Sequence, residues 1–138
     1  MLKLDLKDHK ILDILKQNSR LSIREIAKLS KLRPSTVHSR IQKLTKNNII
    51  EKFTLKLNNK AISENFIVFM LVSADKKLSF TSPHIKEVFG ITGEYDLILK
   101  MKFKDIIEFN DFVIKFREKH NLKKTLTMVA TLNIKEEL

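Results

Sequence analysis

Apolar residues recur along this chain with two different periods. As far as Asn47 they fall three and four apart, whereas beyond Phe66 they alternate or run together, so helices come first and a sheet follows. Asp5 starts a helix with the stripe Ile11, Leu12, Ile14 and Leu15, ending near Asn18, a residue tolerant of left-handed backbone. Ser22 and Glu25 have the spacing of a capping box, with Leu21 and Ile26 placed as a hydrophobic staple, and the helix they open ends about Ser30. Lys31-Leu32-Arg33 forms a tight connection with Leu32 inward, and Pro34 presets the first turn of a third helix, 34–47. Three short helices with this turn between the last two predict a helix-turn-helix. From Ile49 to Leu57 the period changes to two. Phe53, Leu55 and Leu57 alternate with Lys52, Thr54 and Lys56, which predicts a strand acting as a wing or a connector. The polar turn Asn58-Asn59-Lys60 is the expected boundary between domains 1–60 and 61–138.

The second domain opens with the apolar run Phe66 to Val72, a central strand covered on both faces. Asp75 to Thr81 is polar and has no clear period. Pro83 either opens a short helix or lies in a segment crossing directly to a strand about Glu87 to Ile91. Gly93-Glu94 turns into an alternating strand, Tyr95 to Phe103. Asp105 and Glu108 repeat the cap pattern, and Ile106, Phe109, Val113 and Phe116 form the buried stripe of a helix ending near His120. A last strand is expected over 125–134, with Leu126, Met128, Ala130, Leu132 and Ile134 on one face. The order gives an α+β fold class, an N-terminal winged helix-turn-helix domain followed by a ferredoxin-like β-α-β-β-α-β sandwich. The helices of one such sandwich cover only one sheet face. The strand at 66–72 therefore calls for a second copy, and a homodimer is expected.

Charge sharpens the function. The chain of 138 residues carries +11, and residues 1–60 hold +10 of it, so the first domain is built to meet a polyanion and the second is nearly neutral. On the third helix Val37, Ile41 and Leu44 share the core side, while the opposite face carries hydroxyls, amide and ammonium groups without a carboxylate. Such a face suits double-stranded DNA. Ser35, Thr36, His38 and Ser39 are placed for base edges, and Arg33, Arg40, Lys43 and Lys46 for phosphates, with Arg20 and Lys31 adding backbone contacts. Arg40 has an alternative, a salt bridge to an acid such as Asp13 or Glu25. A dimer of such domains predicts an inverted-repeat operator.

Other classes fit less well. No apolar run approaches the roughly 20 residues needed to span a bilayer, and no helix has a bulky apolar face left for insertion, so no membrane partner is expected. The N-terminus lacks a signal-peptide core, which together with the absence of cysteine places the protein in the cytoplasm. His9, His38, His84 and His120 are scattered, and a chain with two glycines has no phosphate loop, so neither enzyme, metal nor cofactor is expected. Two rival functions remain. A general DNA-packaging protein fits the lysine excess but not the neutral second domain, and a ligand-binding regulatory subunit leaves the basic first domain unexplained.

The chain also resembles a known family, the leucine-responsive regulator/AsnC or feast/famine transcription regulators. The resemblance runs through Leu4-Asp5, Asp8, Ile11-Leu12, Asn18-Ser19-Arg20-Leu21-Ser22, Ile26-Ala27, Val37, Arg40-Ile41, Leu44 and Ile49-Ile50, and then Thr92-Gly93-Glu94-Tyr95-Asp96-Leu97-Ile98-Leu99. It implies a DNA-binding first domain and a second domain that makes dimers and larger rings such as an octamer. It also implies an amino-acid effector, held near Gly93, Glu94, Tyr95 and Asp96, where a plain β-turn is the alternative. Three departures stand out. Arg33 occupies the usual place of a capping serine, Asn48 that of a glycine, and the segment Asp75 to His84 is short for the family's first crossover helix.

Overall fold

A computed structural model describes residues 3–74, 77–122 and 124–137. The chain forms two compact units that divide between Leu55 and Lys56, and each is built on its own core.

The first unit holds α1 (Leu6–Gln17), α2 (Ile23–Ser30) and α3 (Pro34–Lys46). Each begins where the sequence supplies a stop for free amide groups. Asp5 accepts from the Lys7 and Asp8 amides at 2.8 and 2.9 Å, and Asp8 answers by accepting from the Asp5 amide at 3.1 Å. Ser22 and Glu25 close the predicted box, and hydrogen bonds from Ser22 hold the Glu25 carboxyl below its ordinary range. Arg33 provides no side-chain cap for α3, where Pro34 removes one free amide instead. Ile11, Leu15, Ile26, Ala27 and Val37 form the core, with Leu32 and Ile41 packed against it. Left-handed backbone at Lys31 and Asn48 turns the chain out of α2 and α3.

Helix α1 ends at Asn18 as expected, in extended geometry with φ at −152°. One expectation fails in this unit. No strand forms over residues 51–57, and Phe53 and Leu55 stand 54% and 65% exposed. Alternation favours extended backbone, but a strand needs a neighbour, and no described residue of this chain lies in register beside it.

The second unit is a four-stranded antiparallel sheet in the order β2-β3-β1-β4, from β1 (Phe66–Ser73), β2 (Ile85–Gly90), β3 (Leu97–Phe103) and β4 (Lys124–Val129), with α4 (Ile106–His120) preceding β4. Val68, Met70, Val72, Leu99, Met101 and Phe103 fill the inner face against Phe109 and Phe116 of α4. The outer face carries Ile67, Phe69 and Leu71 beside Lys102, Lys100 and Ile98 on one flank and Met128 and Leu126 on the other.

The sequence misjudges four details here. Residues 77–84 cross to β2 without a helix, the second of the two alternatives above, so the first helix of the expected β-α-β-β-α-β order does not form among the described residues; Leu78 enters the core with Phe80 packed against it, and Asp75 and Lys76 lie outside the described residues. Strand β2 accordingly starts at Ile85, before the expected Glu87, and β3 starts only at Leu97, since Tyr95 and Asp96 belong to the turn. Ile106 is 56% exposed and the buried stripe of α4 begins at Phe109; the Glu108 carboxylate accepts from the Lys104 amide, one residue earlier than a capping box requires. Finally, β4 ends at Val129. It runs antiparallel to β1, whose first residue is Phe66, so past the Ala130 amide, which donates to the Ile67 carbonyl at 2.9 Å, only Phe66 of β1 is left along the ladder and the expected run to Ile134 outlasts its partner strand.

Candidate nucleic-acid interface and effector turn

Helix α3 is fixed from beneath by Val37 and Leu44, both fully buried, and by half-buried Ile41. That anchoring decides which side chains face outward. Arg33, Ser35, His38, Ser39, Gln42, Lys43 and Lys46 are exposed and Thr36 is half-buried. Near the start of the helix the hydroxyl of Ser39 donates to the Thr36 carbonyl at 3.1 Å, which leaves its oxygen lone pairs outward. Among the described residues no ion pair involves Arg33, Lys43 or Lys46, so their charges are available to a polyanion.

Arg40 is different. Its Nη1 donates to both Asp5 oxygens at 2.7 and 2.8 Å and to Asp8 Oδ1 at 2.7 Å, and Asp8 is only 2% exposed. The expected alternative for Arg40 was right in kind and wrong in partner, because the acids are neither Asp13 nor Glu25. Those contacts engage Nη1 of a side chain that the sequence reading assigned to a phosphate, and leave that side chain 22% exposed. Hydrogen bonds from the Asp8 amide and from Arg40 hold the Asp5 carboxyl down at about 2, and the two acids raise the Arg40 pKa further.

Sequence reasoning passed over two exposed cations of the same unit. Arg24 and Lys28 of α2 are exposed and make no ion pair among the described residues, and their i,i+4 spacing on one helix side was the signal available. Arg20 and Lys31 are exposed as expected.

The turn at residues 93–96 is held together from within its own unit. Gly93 has φ of +131°, a conformation that L side chains rarely adopt. Asp96 accepts from the Ala74 amide at 2.9 Å, and its own amide donates to the Val72 carbonyl at 3.0 Å. Glu94 pairs with Lys124, whose hydrogen bond holds the Glu94 carboxyl below its ordinary range, and the Lys124 ammonium also lies 4.9 Å from the Tyr95 ring centroid. Both carboxylates at the turn thus have partners already. Two open depressions in this unit lie elsewhere, one lined by Phe112, Phe116 and His120 and the other by Phe69, Leu132 and Glu136.

Among the described residues no cluster of His, Asp and Glu has the makings of a metal site. His84 is a packed side chain, stacked 4.6 Å from Phe103 with Nδ1 3.1 Å from the Lys102 carbonyl. No helix of the described residues is long and apolar enough to cross a membrane.

Comparison with known proteins agrees with this division of labour. Residues 4–51 match a family described as winged helix-turn-helix DNA-binding, and residues 81–138 match one described as an Lrp/AsnC ligand binding domain. The HTH-type transcriptional regulator FL11 of Pyrococcus furiosus is 35% identical over 92% of this chain and 89% of its own length. Its namesake in Pyrococcus horikoshii is 34% identical over 96% and 93%. Among solved structures, Bacillus subtilis LrpC is 27% identical with a TM-score of 0.85, covering 99% of this chain and all of that one. A transcriptional regulator of Neisseria meningitidis in complex with L-Met is 25% identical with a TM-score of 0.88, covering 98% and 94%.

Proposed function

The chain belongs to the Lrp/AsnC family of DNA-binding transcriptional regulators, and on that footing we propose that it acts as a homodimer on an inverted-repeat operator in the cytoplasm. One observation carries the reading: the outer face of α3 presents hydroxyls and free cations while its one engaged cation, Arg40, is tied inward. Ser35, Thr36, His38 and Ser39 read base edges, and Arg33, Lys43 and Lys46 hold phosphates. Arg40 takes no part in contact. It sets α3 against α1. The outer sheet face, with Phe69, Leu71, Leu126 and Met128, supports dimerisation, because a second copy would cover apolar positions that no helix of this chain covers. Octamers follow the same logic one level up, as rings of such dimers. An enzyme and a regulatory subunit without a DNA role leave the shape and charge of α3 without a use, and a packaging protein leaves the nearly neutral second unit without one.

Selection of bound duplexes from a random pool tests the operator. Enrichment of a two-fold symmetric site is expected, and a pool without symmetry defeats the reading.

The second unit responds, in this proposal, to an amino acid held at Gly93, Glu94, Tyr95 and Asp96, where backbone amides and charged side chains meet both ends of such a ligand. Because Glu94 and Asp96 are already engaged, Asp96 serves as the brace of the turn and the ligand exchanges with Lys124 at Glu94. Calorimetry with the twenty amino acids, on the parent chain and on Asp96→Ala, is the test. Heat from one or a few ligands below about millimolar, lost in the variant, is expected. No heat from any of them ends the effector proposal and leaves the DNA-binding reading intact.

A further inference from the structure

The most heavily coordinated side chain in the second unit lies on its tail. The Glu136 carboxylate accepts from Lys102 Nζ at 2.7 Å, Lys100 Nζ at 2.8 Å, Lys56 Nζ at 3.0 Å and Asn59 Nδ2 at 3.0 Å, and its side chain is only 11% exposed. Lys102 also donates to Asn59 Oδ1 at 3.0 Å, closing a ring among the three segments. Those segments are far apart in the chain. Lys100 and Lys102 stand on the outer face of β3, Lys56 and Asn59 begin the unit, and Glu136 lies beyond the last strand. Partial burial disfavours the Glu136 anion, yet its hydrogen bonds from Lys100, Lys102, Asn59 and Lys56 outweigh that and keep it ionised.

Beyond Ala130 the tail makes no ladder bond among the described residues, and Leu132 and Ile134 are exposed. The connector ahead of Lys56 is equally unsupported, since residues 51–55 are exposed and belong to no helix or strand. Glu136 therefore decides where the tether from the DNA-binding unit becomes anchored. With the contact made, the free tether stops at Leu55; with it broken, residues 56 and 57 join the tether, while Asn58 and Asn59 stay in the turn they share with Ile62 and Glu64, and the reach grows by about 7 Å at about 3.5 Å per residue. Along a duplex that distance is about two base pairs at about 3.4 Å each.

We infer that Glu136 is a positioning residue: by clasping Lys56 and Asn59 to Lys100 and Lys102, it shortens the tether to the DNA-binding unit and narrows the half-site spacing that the dimer accepts. The inference rests on the paired-operator reading above. It adds a residue outside the helix-turn-helix that governs which operators fit, through reach alone.

The full-length parent, Glu136→Gln and Lys102→Met are compared on inverted repeats whose spacer grows one base pair at a time, and in parallel by limited trypsin cleavage after Lys52, Lys56 and Lys60. The parent is expected to favour one spacing over its neighbours by about tenfold, whereas both variants accept neighbouring spacings within about threefold and are cut in the connector about tenfold faster. The variant carrying both changes should be no more permissive than Lys102→Met alone, which already removes the Glu136 contact and the bond to Asn59. Variants that keep the parent's spacing profile and cleavage rate overturn the inference while the operator reading stands. A parent profile flat across all spacings overturns the operator reading and the spacing role together, and the cleavage ratio then still shows whether the clasp exists.

Discussion

Arg40 on the recognition helix donates at 2.7 Å to Asp8, a carboxylate buried at the start of α1. The same nitrogen reaches Asp5, so one cation links the outermost turn of the first helix to the middle of the third. Since Asp5 and Asp8 also cap α1, the ion pair and the helix cap share their acids. Replacing Arg40 by Ala leaves the Asp8 carboxylate buried with only the Asp5 amide as partner, a loss of about 1–3 kcal/mol by urea denaturation. The slope of log affinity against log salt should stay at the parent value. A slope that falls by about 1 would return Arg40 to the phosphate contacts.

Acid should find the same place. The folded Asp5 carboxyl titrates at about 2, below its ordinary 3.8, so it binds fewer protons folded than unfolded. Its contribution is present in full above about pH 4 and is lost as pH falls toward 2. Urea midpoints measured from pH 6 to pH 2 should drop more steeply at the acid end for the parent than for Asp5→Asn, which keeps an N-cap oxygen without the titration.

Lys43 and Lys46 offer a contrast within one helix. Substitution of either by Ala should weaken binding to all duplexes alike and reduce the salt slope by about 1, because each neutralises one phosphate. Ser39→Ala should leave the slope alone and alter base preference, read by repeating the pool selection. An unchanged preference removes Ser39 from the reading set.

The outer face of the sheet can be tested in the whole protein. Leu126 and Met128 lie on it opposite Leu71 and Phe69 across the β1–β4 register. Leu126→Lys places a charge in a surface that a second copy covers, and should convert a dimer to a monomer in sedimentation at micromolar concentration while the thermal midpoint of the first unit is kept. A variant that remains dimeric moves the interface elsewhere.

Core positions of α3 should fail in a different way from its contact positions. Leu44→Ala empties space at a fully buried site and is expected to cost about 2–5 kcal/mol, with DNA affinity lost only in step with folding.

What the sequence determined by itself was local. The caps at Asp5, Ser22 and Asp105, the proline at the head of α3, the buried positions Val37 and Leu44 and the strands around Val68 and Met101 are all set by spacing within a few residues, where backbone hydrogen bonding and one-sided burial leave little choice. The charge asymmetry between the halves was equally plain, since it needs no coordinates. Tertiary structure decided whatever depended on a partner distant in the chain. Alternation at 53–57 announced extended backbone but could not supply a neighbouring strand, and β4 stopped opposite Val68, two residues from the start of β1, well short of the run to Ile134 that its alternation announced. Asp5 was visible as a helix start, yet only the packing of α1 on α3 chose it and Asp8 for Arg40 over Asp13 and Glu25. Glu136 was an unremarked acid near the end of the sequence. Three lysines and an asparagine from distant segments gave it a role, because an ion pair is fixed by where folded backbones bring charges together, and sequence order does not contain that distance.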